Sequence, residues 1–131
     1  MAVQYNLLQR GFRNVFRDGQ AEGFQLLVKT AYYRGVALSL IEGIDVTVDG
    51  KSFPSDRVRV TIGGRTYSFA EMALLGDVWW PWLEPAVVTV NEPGGLKPGV
   101  HDVRVVVKLR ISYMPFTPSV YTFDDKLVLM R

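Results

Sequence analysis

Alternation of apolar and polar residues with a period of two runs through most of this chain. Its longest instance sets Val103, Val105, Val107, Leu109, Ile111 and Tyr113 on one face against Asp102, Arg104, Val106, Lys108, Arg110 and Ser112 on the other. Successive side chains of an extended strand point to opposite faces, so this run predicts a long antiparallel strand buried on one side. Ile44, Val46 and Val48 alternate with Asp45, Thr47 and Asp49, and Val58, Val60 and Ile62 with Arg57, Arg59 and Thr61. Phe24, Leu26 and Val28 repeat the pattern earlier, and residues 121–130 are read as the last strand. Glycine and proline punctuate these runs. Asp49-Gly50 ends one strand, Gly63-Gly64 is read as a tight hairpin turn, and residues 93–99 form a longer turn feeding the long strand. Short one-sided strands broken in this way predict an all-β fold, a two-sheet antiparallel β-sandwich with at most one short helix. The helix is expected after Ser68, where Ser68 and Glu71 have capping-box spacing and Gly76 provides a stop. No repeat, low-complexity tract or linker interrupts the chain, so residues 1–131 are expected to form one sandwich domain.

Composition narrows the class. A chain of 131 residues with 48% apolar content can build a core without staples. The lack of cysteine removes disulfides and thiolate metal sites, and it fits a reducing, cytoplasmic setting. No apolar stretch approaches the roughly 20 residues of a membrane-spanning helix, and Met1-Ala2-Val3-Gln4-Tyr5-Asn6 lacks the basic-then-apolar pattern of a secretory signal. Fifteen basic against thirteen acidic residues leave a net charge of +2. The basic side chains are spaced by apolar ones, as on a solvated strand face, so neither nucleic acid nor membrane is expected as a partner.

The candidate sites are few. All three tryptophans fall in Trp79-Trp80-Pro81-Trp82, a segment without helical or strand periodicity that Pro81 and Pro85 should hold as a stiff connection. Indoles offer large, rigid, amphipathic area of the kind that dominates interfaces and sugar platforms. Either one of them makes an outside contact while the rest pack inward, or all cap the core. Tyr32, Tyr33 and Arg34 can line a pocket or anchor an interface; equally, Arg34 can be a strand-end arginine paired with a carboxylate such as Glu42. His101, the only histidine, has no companion for a metal site and no orienting acid or nucleophile at a telling spacing, so it reads as a turn or strand-edge residue. Asp124 and Asp125 are adjacent in a strand, so their carboxylates should diverge, and a solvated pair is the reading adopted. No catalytic residue and no metal ligand is therefore assigned to this chain.

Several stretches in order resemble one family, the small (beta) subunit of bacterial C-glycoside deglycosidases. They are Arg10-Gly11-Phe12-Arg13-Asn14-Val15, then Tyr32-Tyr33-Arg34-Gly35-Val36-Ala37-Leu38-Ser39-Leu40-Ile41-Glu42 running into Ile44-Asp45-Val46-Thr47-Val48-Asp49-Gly50. Glu71-Met72, the tryptophan segment, Gly94-Gly95-Leu96, Gly99-Val100-His101 and Arg110-Ile111-Ser112-Tyr113-Met114-Pro115 follow. The resemblance implies a β-sandwich subunit of a carbon–carbon lyase that releases an aromatic, flavonoid-type aglycone from a 3-oxo sugar. In such complexes a base removes the proton that the carbonyl acidifies, a divalent metal steadies the oxyanion, and an acid protonates the departing carbon. The resemblance places that metal, expected to be manganese, and the acid/base groups in a larger barrel-type alpha subunit. It implies a hetero-oligomer in which this chain is inactive alone and holds no cofactor. Tyr32, Tyr33, Arg34, Trp79, Trp80 and Trp82 then become candidates for the subunit interface or for residues near substrate. The alternative is a carbohydrate-binding β-sandwich module, which clustered indoles also fit.

Overall fold

The computed structural model describes residues 7–29, 35–81, 84–110 and 119–130. Strands β1 (Leu7–Arg17), β2 (Gln20–Val28), β6 (Val58–Ile62), β7 (Arg65–Tyr67) and β9 (Ala86–Asn91) form an antiparallel sheet in the order β1-β2-β9-β6-β7. Strands β4 (Ile41–Val48), β5 (Lys51–Phe53), β10 (Gly99–Leu109) and β11 (Ser119–Leu129) form a second, ordered β11-β10-β4-β5. A ribbon of β3 (Val36–Ala37) and β8 (Trp79–Trp80) makes a third. The helix is a single turn, α1 (Phe69–Met72), and two 3-10 turns cover Leu38–Leu40 and Ser55–Arg57.

The alternating runs bury the faces they were expected to bury. Val103, Val105, Val107 and Leu109 of β10 lie inside, as do Ile44, Val46 and Val48 of β4 and Val58, Val60 and Ile62 of β6; Ile111 and Tyr113, expected to extend the longest run, lie outside the described residues. The buried apolar side chains of both large sheets belong to one core cluster. Phe24 of β2 meets Phe53 of β5 edge-on across it, with ring centroids 5.2 Å apart. Three hairpins close on two residues of positive φ: Asp18-Gly19 at 52° and 79°, Asp49-Gly50 at 50° and 83°, and Gly63-Gly64 at 62° and 81°. These are the backbone angles of the turn whose twist matches antiparallel strands, which is why Asp-Gly and Gly-Gly occupy them.

Several strands, β9 among them, were not marked by an alternating run, and two of the unexpected ones show why. The first strand is interrupted by register shifts between Leu8 and Arg13 and again between Val15 and Phe16. Its inward residues Leu7 and Phe12 therefore fall at no regular interval, and period-two reading misses it. The second is β8: the tryptophan segment, read as a connection without strand character, pairs Trp80 with Val36 and Trp79 with Ala37. Two residues are too few to show a period.

Candidate functional site

At one end of the sandwich, α1 and β8 fold over the start of β4. Ser68 caps α1 in the reciprocal manner its spacing suggested: Glu71 N–H donates to Ser68 Oγ at 3.2 Å and Ser68 N–H to Glu71 Oε1 at 2.9 Å. The Ser68 backbone N–H and hydroxyl hold the Glu71 carboxyl below its ordinary pKa. The chain then runs back along the 3-10 turn, with Leu38 N–H donating to Val78 O at 2.9 Å and Ser39 N–H to Leu75 O at 3.2 Å. On β8 the two indoles part, because neighbouring strand residues face opposite ways. Trp80 is 0% exposed and its Nε1–H donates to Glu84 O at 2.7 Å, so its bulk and its polar atom are both satisfied inside. Trp79 points outward and is 50% exposed, and Leu74, six residues from Trp80, is 86% exposed. Arg110 ion-pairs with Glu42 at this end, and its backbone N–H donates to Leu40 O at 2.7 Å. Glu42, the carboxylate considered as a partner for Arg34, is thus engaged by Arg110. Tyr32, Tyr33, Arg34 and Trp82 lie outside the described residues.

The opposite end is polar and tied together. His101, the third residue of β10, reaches Asp49 Oδ2 with Nδ1 and Lys97 O with Nε2, both at 2.6 Å. Asp49 uses its other oxygen to accept Asp102 N–H at 2.8 Å. The imidazole stands edge-on to Phe12, with centroids 6.1 Å apart. Nearby, Asn14 of β1 binds the backbone of Leu96 twice: Nδ2 donates to Leu96 O and Oδ1 accepts Leu96 N–H, each at 2.8 Å. Gln9 does the same to Val128 of β11, at 2.7 Å and 2.8 Å, and so joins the edge strands of the two large sheets. These two amides act as strand partners where no strand runs, and pattern reading passed over both. A usable signal existed for Asn14: it follows Phe12 by two residues, and an amide on a buried strand face must find partners.

The outer face of the β11-β10-β4-β5 sheet carries cross-strand ion pairs. Arg104 meets Asp124 at 2.6 Å, Lys108 meets Asp45 at 2.9 Å, and Lys126 meets Asp102 at 3.0 Å. Asp125 instead accepts the Lys126 N–H with Oδ1, so the two aspartates have separate partners, in keeping with the solvated pair expected. Among the described residues no three His, Asp or Glu side chains gather as metal ligands would, and both nitrogens of His101 are engaged. No helix among the described residues is long and apolar enough to cross a membrane.

Comparison with known proteins gives this arrangement its context. Residues 3–113 match the family described as C-glycoside deglycosidase beta subunit. A beta subunit of that description from Eubacterium cellulosolvens is 42% identical over 106 residues, covering 80% of this chain and 72% of that protein. One from Arthrobacter globiformis is 37% identical over 100 residues, covering 76% and 74%. A 3'-dehydrocarminate deglycosidase beta subunit from Microbacterium sp. is 36% identical over 94 residues, covering 71% and 70%. With a family match over most of its length and relatives of this similarity, the chain belongs to the C-glycoside deglycosidase beta subunit family.

Proposed function

We propose that this chain works as the beta subunit of a hetero-oligomeric C-glycoside deglycosidase that cleaves the carbon–carbon bond between a 3-oxo sugar and an aromatic aglycone. The family match over residues 3–113 carries the reading. The division of labour is supported by the side chains: both ring nitrogens of the lone histidine are hydrogen-bonded, and the acidic residues of the outer face are matched with arginine and lysine. The divalent metal and the acid/base groups belong, on this reading, to a larger barrel-type subunit, and this chain supplies shape and apolar area. Its contact region is the end with β3 and β8, where an outward indole stands on a strand whose other indole is locked in the core. A rigid aromatic held from behind loses little entropy on contact. Tyr32, Tyr33, Arg34 and Trp82 flank that ribbon in sequence and join Trp79 as candidates for the interface or the substrate's surroundings. The burial of Trp80 leaves a sugar-binding platform with one indole fewer than the sequence offered.

Expressing the two subunits singly and together tests the proposal. Cleavage of a 3-oxo C-glycoside should require both, and the chain should co-purify with its partner. Full cleavage by either subunit alone would refute it.

A further inference from the structure

His101 stands apart from the proposed function, at the other end of the sandwich. Its two ring nitrogens face a carboxylate oxygen of Asp49 and the carbonyl oxygen of Lys97, each at 2.6 Å. Both oxygens can only accept. A neutral imidazole donates from one nitrogen, so it would set a lone pair against one of these oxygens. Only the doubly protonated ring makes both hydrogen bonds. The three groups come from distinct pieces of chain: His101 from the start of β10, Asp49 from the turn between β4 and β5, and Lys97 from the glycine- and proline-rich connection after β9.

We propose that His101 is a charged latch, an imidazolium that pins the connection at residues 93–98 to the β4–β5 turn and releases it when the ring loses its proton. The groups around the ring favour this. Asp49 brings the negative charge, and β1 presents the ring of Phe12. Of the neighbouring charges, Asp102 is paired with Lys126, Lys51 with Glu92, and Lys97 is exposed. Partial burial by itself would lower the pKa of the imidazole; the Lys97 carbonyl, the Asp49 hydrogen bond and the Asp49 charge outweigh it, and the net shift is upward from 6.5. The hydrogen bond from His101, with that from the Asp102 N–H, holds the Asp49 carboxyl below its ordinary 3.8. The signs follow. The histidine's contribution is complete below 6.5 and disappears as pH rises through its raised value. The aspartate's contribution is complete above 3.8 and disappears as pH falls through its lowered value. The latch therefore holds at mildly acidic pH and opens as pH rises through the raised value of the imidazole.

The connection it holds also packs on Asn14, through Leu96 and Gly95. Gly95 has φ of 64°, and a Cβ there would stand 2.5 Å from Asn14 Oδ1. Release at His101 leaves the Asn14 clamp as the second tether, so the change should be confined to residues 93–98.

Because the chain has one histidine, ring-labelled histidine in the full chain gives a single NMR signal to titrate. The expected result has three parts. Both ring nitrogens are protonated on the acid side of the midpoint, the midpoint lies above 6.5, and the amide signals of Gly94, Gly95 and Leu96 move with the same midpoint. In Asp49→Asn, which keeps a residue tolerant of positive φ in the turn, the midpoint should fall. A midpoint at or below 6.5, loop amides that ignore the titration, or a midpoint unmoved in Asp49→Asn would overturn the latch.

Discussion

At the end of the sandwich where β4 turns into β5, His101, Asp49 and Asn14 each make two hydrogen bonds. At the end carrying β3 and β8, Trp79 is half exposed and Leu74 almost wholly so. Both ends close the same core, and both leave apolar side chains exposed: Phe16, Val100 and Met130 accompany the first, Leu74 and Trp79 the second. The first end adds paired hydrogen bonds from His101, Asp49 and Asn14, and the second sets an exposed indole beside a buried one on the same strand. An apolar side chain exposed singly is ordinary. An outward tryptophan beside an inward one, on a ribbon clamped to α1 and to the 3-10 turn at Leu38–Leu40, is a rigid projection.

The sharpest way to break this comparison is at the two indoles, which share one strand. Trp80→Ala should cost about 3–5 kcal/mol of stability, the range for emptying a buried aromatic site, and should lower the urea midpoint accordingly. Trp79→Ala should leave that midpoint within about 0.5 kcal/mol of the parent while weakening partner binding by about 2 kcal/mol, a roughly 30-fold loss of affinity. Calorimetric titration against the partner subunit measures the second effect. Equal effects of the two substitutions on stability would erase the distinction between them.

The polar end is tested by glycines in one connection. Gly95→Ala meets both a left-handed backbone and the Asn14 amide, and should cost about 2–3 kcal/mol. Gly94→Ala has a similar φ of 85° but open space around its Cβ, so about 1 kcal/mol is expected. The difference between the two in thermal unfolding reports the Asn14 clamp. The smallest effect belongs to the outer face. Arg104→Ala removes an ion pair whose two side chains are more than half exposed, and should leave the urea midpoint almost where it was, closer still in high salt.

Much of this was legible in the sequence because half-buried strands state their own period. The inward faces of β4, β6 and β10, the Gly63-Gly64 turn and the capped α1 all follow from local rules. Strand β1 does not, since its bulges break the period and its partner β2 sets its register from across the sheet. The clamps made by Gln9 and Asn14 span 119 and 82 residues, and no local pattern encodes a pairing at that distance. The tryptophan segment fell between these cases. Its crowding marked it, and the division of labour within it came from strand geometry: β8 is two residues long, and its pairing with β3 decides which indole turns inward. His101 was read as a strand-edge residue because no partner stood near it in sequence; Asp49 is 52 residues away.

The central claim is that the end with β3 and β8 is reserved for a second protein, and hydrogen exchange read by mass spectrometry with and without the partner subunit tests it most directly. Slowed exchange in peptides spanning residues 72–81, with peptides spanning residues 93–102 unchanged, is the expected footprint. Slowing at residues 93–102 with none at 72–81 would contradict it.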